Sequence, residues 1–218
     1  MKALIIQHED STPLGSTKEW LENRNIAYTL LFSHEITNEK SILDFDLLII
    51  CGGSMNVDQD DLYPWLKNEK KLILNYIKKN KKIVGLCLGG QLLAEVLGGK
   101  VEQLPYWEVG WQNIKLKNEK SLFVFQWHSF SFSLPPLAHL LASNEACPIQ
   151  AFSYGENILA VQYHPETTVE WALECAAHPA IPFPSKYVQT PKEIESGIVY
   201  QKKMQEWYFE QLDLLILH

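Results

Sequence analysis

A chain of 218 residues with 46% hydrophobic and 21% charged side chains can bury one generous core but not two, which excludes a long disordered chain and points to a single globular domain. Nineteen basic residues against 26 acidic ones leave a formal charge of −7, and Arg24 is the only arginine, so the forked donors that recognise phosphates and bases are nearly lacking and nucleic acid is excluded as a partner. Cys51, Cys87, Cys147 and Cys175 form no CxxC pair, which excludes a disulfide scaffold and a zinc site and fits a reducing cytoplasm.

The opening segment, MKALIIQHED, carries an apolar run too short for a signal peptide or a membrane span, so neither is expected and residues Ala3 to Gln7 read as a first strand. Ala27 to Phe32, Leu47 to Cys51 and Lys82 to Leu86 are similar apolar runs, and all four predict strands buried on both faces. Helical segments separate them, clearest from Pro64 to Lys79, where Trp65, Leu66, Leu72, Ile73, Tyr76 and Ile77 recur on one face. The lysines at 78, 79, 81 and 82 read as the solvated end of that helix.

After Gly99 the pattern changes to strand-like pieces at Gln112 to Leu116, Leu122 to Trp127 and Ile158 to Tyr163, which implies a mixed or antiparallel portion of the same sheet. A helix near Thr168 to Ala177 follows, then a passage through Pro179, Pro182 and Pro184, then a final helix from about Pro191 to Leu215. The expected fold is α/β: a single domain with an open, mostly parallel mixed sheet, helices on both faces, and a C-terminal helical extension. Residues 1–178 form the domain in this scheme, and residues 179–218 an extension packed on it.

Three segments carry candidate chemistry. In Ile83-Val84-Gly85-Leu86-Cys87-Leu88-Gly89-Gly90-Gln91, a buried strand runs straight into residues at helical spacing, so Cys87 sits at a strand-to-helix turn. A thiol there lies over unpaired helix N–H groups that favour the thiolate, and the N–H of Leu88 is placed to receive an oxyanion. A small buried Cys between close-packed glycines would have the same local pattern. In Gln162-Tyr163-His164-Pro165-Glu166 the proline holds His164 extended, so His164 and Glu166 project to one side as a base and its orienter. By itself this is equally a turn with an exposed carboxylate. Gly52-Gly53, after the third strand, lets backbone approach a ligand, or is a tight turn. All three segments lie at strand ends, where sites gather in a parallel sheet.

In this order the three segments resemble the class I glutamine amidotransferase family, the triad-type glutaminase domains of GMP synthase, anthranilate synthase and carbamoyl phosphate synthetase. The resemblance covers roughly residues 45 to 170. It implies Cys87, His164 and Glu166 as the catalytic triad, Gly53 and Leu88 as the oxyanion hole, and Gly52 in the substrate site. It also implies that Gln91 lies against bound glutamine, and that Ser129 and Phe130, from Trp127-His128-Ser129-Phe130, contact its α-amino and carboxylate groups. His128 beside Trp127 can equally cap a hydrogen bond.

The implied activity is hydrolysis of the glutamine amide through a γ-glutamyl thioester, with no cofactor and no metal. No GxxxxGK[ST] phosphate loop and no SGGxD loop occurs, so no fused synthetase half is expected. The overall likeness, with Gly52-Gly53-Ser54-Met55 and Tyr63-Pro64-Trp65, is greatest to stand-alone GMP-synthase-like amidotransferases. Their likeness implies a separate ammonia-accepting synthetase subunit whose docking gates the site around Gly53, leaving a lone chain with weak turnover. Two other functions fit the same segments: a hydrolase of γ-glutamyl peptides or conjugates with the same triad, and a binding or regulatory subunit without turnover, against which the intact triad counts.

Overall fold

The computed structural model describes residues 1–36, 40–178 and 184–217. Among them nine strands form one sheet: β1 (Lys2–Gln7), β2 (Ala27–Phe32), β3 (Leu47–Ile50), β4 (Lys82–Leu86), β5 (Val101–Leu116), β6 (Ser121–Phe132), β7 (His139–Ser143), β8 (Ala151–Tyr154) and β9 (Ile158–Val161). Their order is β2-β1-β3-β4-β9-β8-β7-β5-β6. The first five in that order run parallel, and the remaining pairs are antiparallel, so the mixed α/β sheet expected from the sequence is the one observed.

The short apolar runs form strands because each residue has a core to enter on either side. Ala3, Ile5, Leu47, Ile49, Val84, Leu86, Leu159 and Val161 enter one core, while Leu4, Ile6, Leu48, Ile50, Ile83, Ile158 and Ala160 alternate into the other. The first core is covered by α1 (Ser16–Asn23), α4 (Val169–Ala176), α5 (Pro191–Ser196) and α6 (Gln201–Leu217), and the second by α2 (Trp65–Lys78) and α3 (Leu88–Val96).

Several elements differ from expectation. Strand β2 is not buried on both faces: it pairs only with β1 at the sheet edge and is half exposed. Short 3-10 turns at Ser33–Glu35 and Lys40–Asp44, not an α-helix, occupy the described part of the β2 to β3 connection. Strands β5 and β6 are longer than their apolar patches, because they pair as a two-stranded ribbon whose register shifts between Gln103 and Glu108, around Pro105, which has no N–H to give the ladder. The brief β7 and β8, beside Pro135-Pro136 and Pro148, had no readable period. Lys81 and Lys82 are not a solvated helix end: Lys81 Nζ donates to Leu43 O at 2.7 Å and Lys82 Nζ to Leu215 O at 2.8 Å.

Pro179 and Pro182, with the proposed boundary at 178/179, border or fall within residues outside the described ones. The final helix is interrupted: Thr190 and Glu193 form a capping box for α5, then Gly197–Tyr200 tightens into a 3-10 turn. At this turn the backbone presses on Trp111, since a methyl on Gly197 would lie 2.1 Å from Trp111 Cδ1. Met204, Tyr208, Leu212 and Leu215 of α6 join the first core. Tyr208 Oη meets Thr17 Oγ1 at 3.0 Å, Trp20 Nε1 donates to Asp213 Oδ1 at 2.9 Å, and Arg24 pairs with Asp213 through two bonds.

Replacing the fully buried Leu212 by Ala should therefore cost about 2–5 kcal/mol in a urea titration. The same change at Leu214, which is 52% exposed, should stay within about 0.5 kcal/mol.

Candidate active site

Four parallel strands, β1, β3, β4 and β9, end side by side, and the chain leaving each contributes to one cleft. At the end of β4 the chain reverses within one residue. Cys87 takes φ 49° and ψ −105° as the residue before α3, a region disfavoured for a non-glycine residue by about 1–3 kcal/mol. The neighbouring glycines explain why that strain persists. A methyl on Gly89 would lie 2.3 Å from Ile50 O, and one on Gly90 would lie 2.6 Å from Val161 O. Helix α3 thus rests on the backbones flanking β4, and no side chain fits between. Cys87 is 6% exposed and opens into the cleft.

Past β9, His164 and Glu166 are buried, with His164 Nδ1 2.8 Å from Glu166 Oε1. The segment is fixed by His164 N–H donating to Phe125 O at 2.9 Å and by Thr167 Oγ1 donating to His164 O at 2.8 Å. The ring packs edge-on to Trp171, with centroids 5.0 Å apart. Burial alone would lower the imidazole pKa, but the Glu166 carboxylate and Cys87 outweigh it and push it up to about 10. Gly52 is wedged between ring and thiol: a methyl there would lie 2.7 Å from His164 Cε1 and 3.5 Å from Cys87 Cβ. The structure therefore gathers Cys87, His164, Glu166 and Gly52-Gly53 in one place, from strands that only the sheet order makes neighbours.

Gly53 lines the cleft, whereas Gly52 lies behind it with its carbonyl engaged from below. His8 Nδ1 is 2.8 Å from Gly52 O, and Thr12 Oγ1 donates to the same oxygen at 3.0 Å. On its other side His8 Nε2 lies 3.2 Å from both carboxylate oxygens of Glu69, and neither side chain is exposed. Burial lowers the His8 pKa, yet Glu69 and the Gly52 carbonyl leave it raised overall. Leu88 directly follows Cys87 as the first residue of α3, its side chain in the second core.

Gln91, Ser129 and Phe130 all line the cleft. Gln91 Nε2 donates to Gln162 Oε1 at 3.3 Å, and Gln162 Nε2 lies 3.7 Å from Cys87 Sγ, so Gln162 ties the two together. His128 is neither a simple cap nor a cleft donor alone. Its Nδ1 is 2.9 Å from Phe130 O and its Nε2 is 3.2 Å from Glu108 Oε2. Glu108 accepts from Asn144 Nδ2 at 2.6 Å and Gln150 Nε2 at 2.9 Å. This buried carboxylate of β5 stands opposite His128 in the stretch of β6 that carries Ser129 and Phe130.

Sequence reasoning passed over His8, Glu69, Glu108 and Gln162. A signal existed for two of them: His8 directly follows a buried strand, and Glu69 interrupts the apolar face of α2 between Leu66 and Leu72. Glu108 and Gln162 had none, because their partners come from distant strands. The remaining cleft walls include Glu9, Ser54, Met55, Trp107, Trp127 and Trp171, around a volume of about 340 Å³. Among the described residues no cluster of three or more His, Cys, Asp or Glu could hold a metal, and no helix is long and apolar enough to cross a membrane.

A thiol at a strand-to-helix elbow beside a carboxylate-paired imidazole is an arrangement suited to acyl transfer on an α/β scaffold. Residues 16–172 match the family model of the class-I glutamine amidotransferases, and the chain belongs to that family. It is 30% identical over 187 residues to the glutamine amidotransferase-like protein YfeJ of Salmonella typhimurium, covering 78% of this chain and 77% of the relative. A glutamine-hydrolyzing GMP synthase subunit of Pyrococcus abyssi is 37% identical over 109 residues, 45% of this chain and 58% of that protein. Gamma-glutamyl peptidase 3 of Arabidopsis thaliana is 28% identical over 156 residues, 64% of this chain and 62% of that one. A solved glutamine amidotransferase of Methylobacillus flagellatus superposes with a TM-score of 0.91 at 26% identity, over 99% of this chain and 94% of that one.

The four thiols are free but not equivalent. Burial first, and nearby carboxylates next, raise the pKa of Cys51 and push Cys147 and Cys175 up to about 12. A glutamine-mimicking chloroketone should therefore modify Cys87 alone, as read by peptide mass spectrometry, and excess glutamine should protect it. Cys175, which also lines the cleft, is the demanding control: its modification ahead of Cys87 would remove Cys87 as nucleophile.

Proposed function

We propose that this chain hydrolyses the side-chain amide of glutamine, with Cys87 as nucleophile. The observation that carries it is the convergence of Cys87, the His164–Glu166 pair and Gly53 on one cleft. The thiolate attacks the amide carbon, and N–H groups of Gly53 and Leu88 receive the oxyanion. Imidazolium His164 gives its proton to the departing nitrogen, which leaves as ammonia, and a γ-glutamyl thioester remains on Cys87. Water then attacks the thioester carbonyl while His164 takes its proton, releasing glutamate and restoring the thiolate. Glu166 holds the ring and supports its charge. Ser129 and Phe130 contact the α-amino and carboxylate groups of the substrate, and Gln91 lies against it.

The partner follows from the relative that is one subunit of a GMP synthase: a separate synthetase chain that consumes the ammonia. Four free thiols suit a reducing cytoplasm. A γ-glutamyl conjugate is the second candidate substrate. Trp107, Trp127, Trp171 and Met55 offer apolar surface that a leaving ammonia cannot use, and one relative is a gamma-glutamyl peptidase. Steady-state comparison of glutamine with γ-glutamyl dipeptides bearing apolar second residues separates the two. A higher kcat/KM for the dipeptides would assign the tryptophans to the leaving group. Turnover of neither would favour a binding role without catalysis.

Cys87→Ala should abolish thioester formation. Glu166→Gln keeps the size and an acceptor but removes the charge, so kcat should fall about 10- to 100-fold with KM within about twofold. The His164 ring, followed by NMR, should titrate at lower pH in Glu166→Gln than in the wild type, where it is pushed up to about 10. Because the folded value is raised, the pair's contribution to stability is complete below the ordinary value of about 6.5. It is lost as pH rises through about 10, and Glu166→Gln should flatten that alkaline decline.

A further inference from the structure

A second buried histidine–carboxylate pair stands behind Gly52, opposite the first. His8 leaves the end of β1 and Glu69 comes from the middle of α2, and both side chains are fully buried. Two charges that served only to fill space there would be a poor choice, since an apolar pair of similar volume avoids the desolvation cost. The imidazole, however, is used at both ends: Nε2 faces Glu69, and Nδ1 faces the carbonyl of Gly52 at 2.8 Å. Thr12 Oγ1 donates to the same carbonyl from a second direction.

In a trans peptide the carbonyl of one residue and the N–H of the next point in opposite directions, and the chain has no cis peptide among its described residues. Pinning Gly52 O toward His8 and Thr12 therefore turns the Gly53 N–H away from them. Two glycines in a row leave this peptide free to rotate unless something fixes it. The space around it is also closed: a methyl on Gly53 would lie 2.9 Å from Leu88 Cδ2 and 3.0 Å from His8 Cβ. The raised His8 pKa agrees with a doubly protonated ring that donates to the carbonyl and to Glu69.

We infer that His8 and Glu69 are positioning residues that clamp the Gly52–Gly53 peptide with the Gly53 N–H facing the reacting carbonyl, so that the oxyanion hole of this chain stands assembled without a partner. The clamp rests on the proposed role of Gly53 as an oxyanion donor. It departs from the gating by a docked synthetase that family resemblance implies. A partner would consume the ammonia but would not be needed to set the peptide.

The test uses the whole chain alone, in wild-type form, as Glu69→Gln, and as the double replacement His8→Phe with Glu69→Leu, which removes both charges and keeps the core filled. Two reactions of Cys87 are timed. Thioester formation from glutamine or a γ-glutamyl dipeptide needs the oxyanion hole, whereas alkylation by iodoacetamide displaces iodide and needs none. Expected is acylation by the wild type without a second protein, a fall of about 10- to 100-fold in the double variant, comparable to or somewhat less than the loss of one full donor, and alkylation within about twofold. Glu69→Gln, which still hydrogen-bonds a neutral His8, should retain acylation within about threefold. Unchanged acylation in the double variant, a parallel fall of acylation and alkylation, or a wild type that acylates only with a partner would each overturn the clamp. A wild type acylated by neither substrate would instead sink the proposed hydrolase. A crystal structure of the double variant then decides the clamp alone, by whether the Gly52–Gly53 peptide has rotated.

Discussion

Helix α3 lies on the backbone of its own sheet, with Gly89 against Ile50 O and Gly90 against Val161 O, and that contact forces the chain to turn within the single residue Cys87. A larger residue at either glycine would lift the helix, relax the turn and withdraw the thiol from the cleft. The strained φ of Cys87 is tolerated because β3, β4 and β9 hold both sides of the turn in register. Packing density, more than any local preference, thus sets the direction of the sulfur.

Electrostatics complete what packing begins. Two histidine–carboxylate pairs, His164–Glu166 and His8–Glu69, flank Gly52 from opposite sides, and all four groups are withdrawn from water. Each carboxylate offsets the desolvation that burial imposes on its imidazole, so both rings carry raised pKa values. Their surroundings differ in use. His164 borders the thiol and the open cleft, while the polar contacts of His8 are a backbone carbonyl and a carboxylate, with Trp65 beside its ring.

The antiparallel half of the sheet and the C-terminal helices shape what the parallel half leaves open. The β5–β6 ribbon carries Trp107, Trp127, Ser129 and Phe130 to the cleft, and Glu108 ties the ribbon to β7 and its following loop through Asn144 and Gln150. Helix α6 closes the other side of the sheet over α1, through Tyr208 with Thr17 and Asp213 with Trp20 and Arg24. A family relationship that spans residues 16–172 therefore continues physically into a C-terminal segment that shares the same core.

Patterns within a few residues were legible from the sequence. Alternating strands and helices announced the α/β class, the Gly85 to Gly90 run announced an elbow at Cys87, and His164-Pro165-Glu166 announced a ring and a carboxylate on one side, because backbone geometry and short-range spacing decide each of these. Edge position was not legible: β2 is as apolar as its neighbours, and only the strand order exposes it. Nor were the partners of His8, Glu69, Glu108 and Gln162, which lie 61 residues apart for His8 and Glu69 and 75 for Gln162 and Cys87. Such pairs exist only once the sheet brings strand ends together and burial removes the water that would otherwise satisfy each group. Local chemistry marked Cys87 and His164 as the candidate residues, and tertiary packing decided which carbonyls and carboxylates surround them.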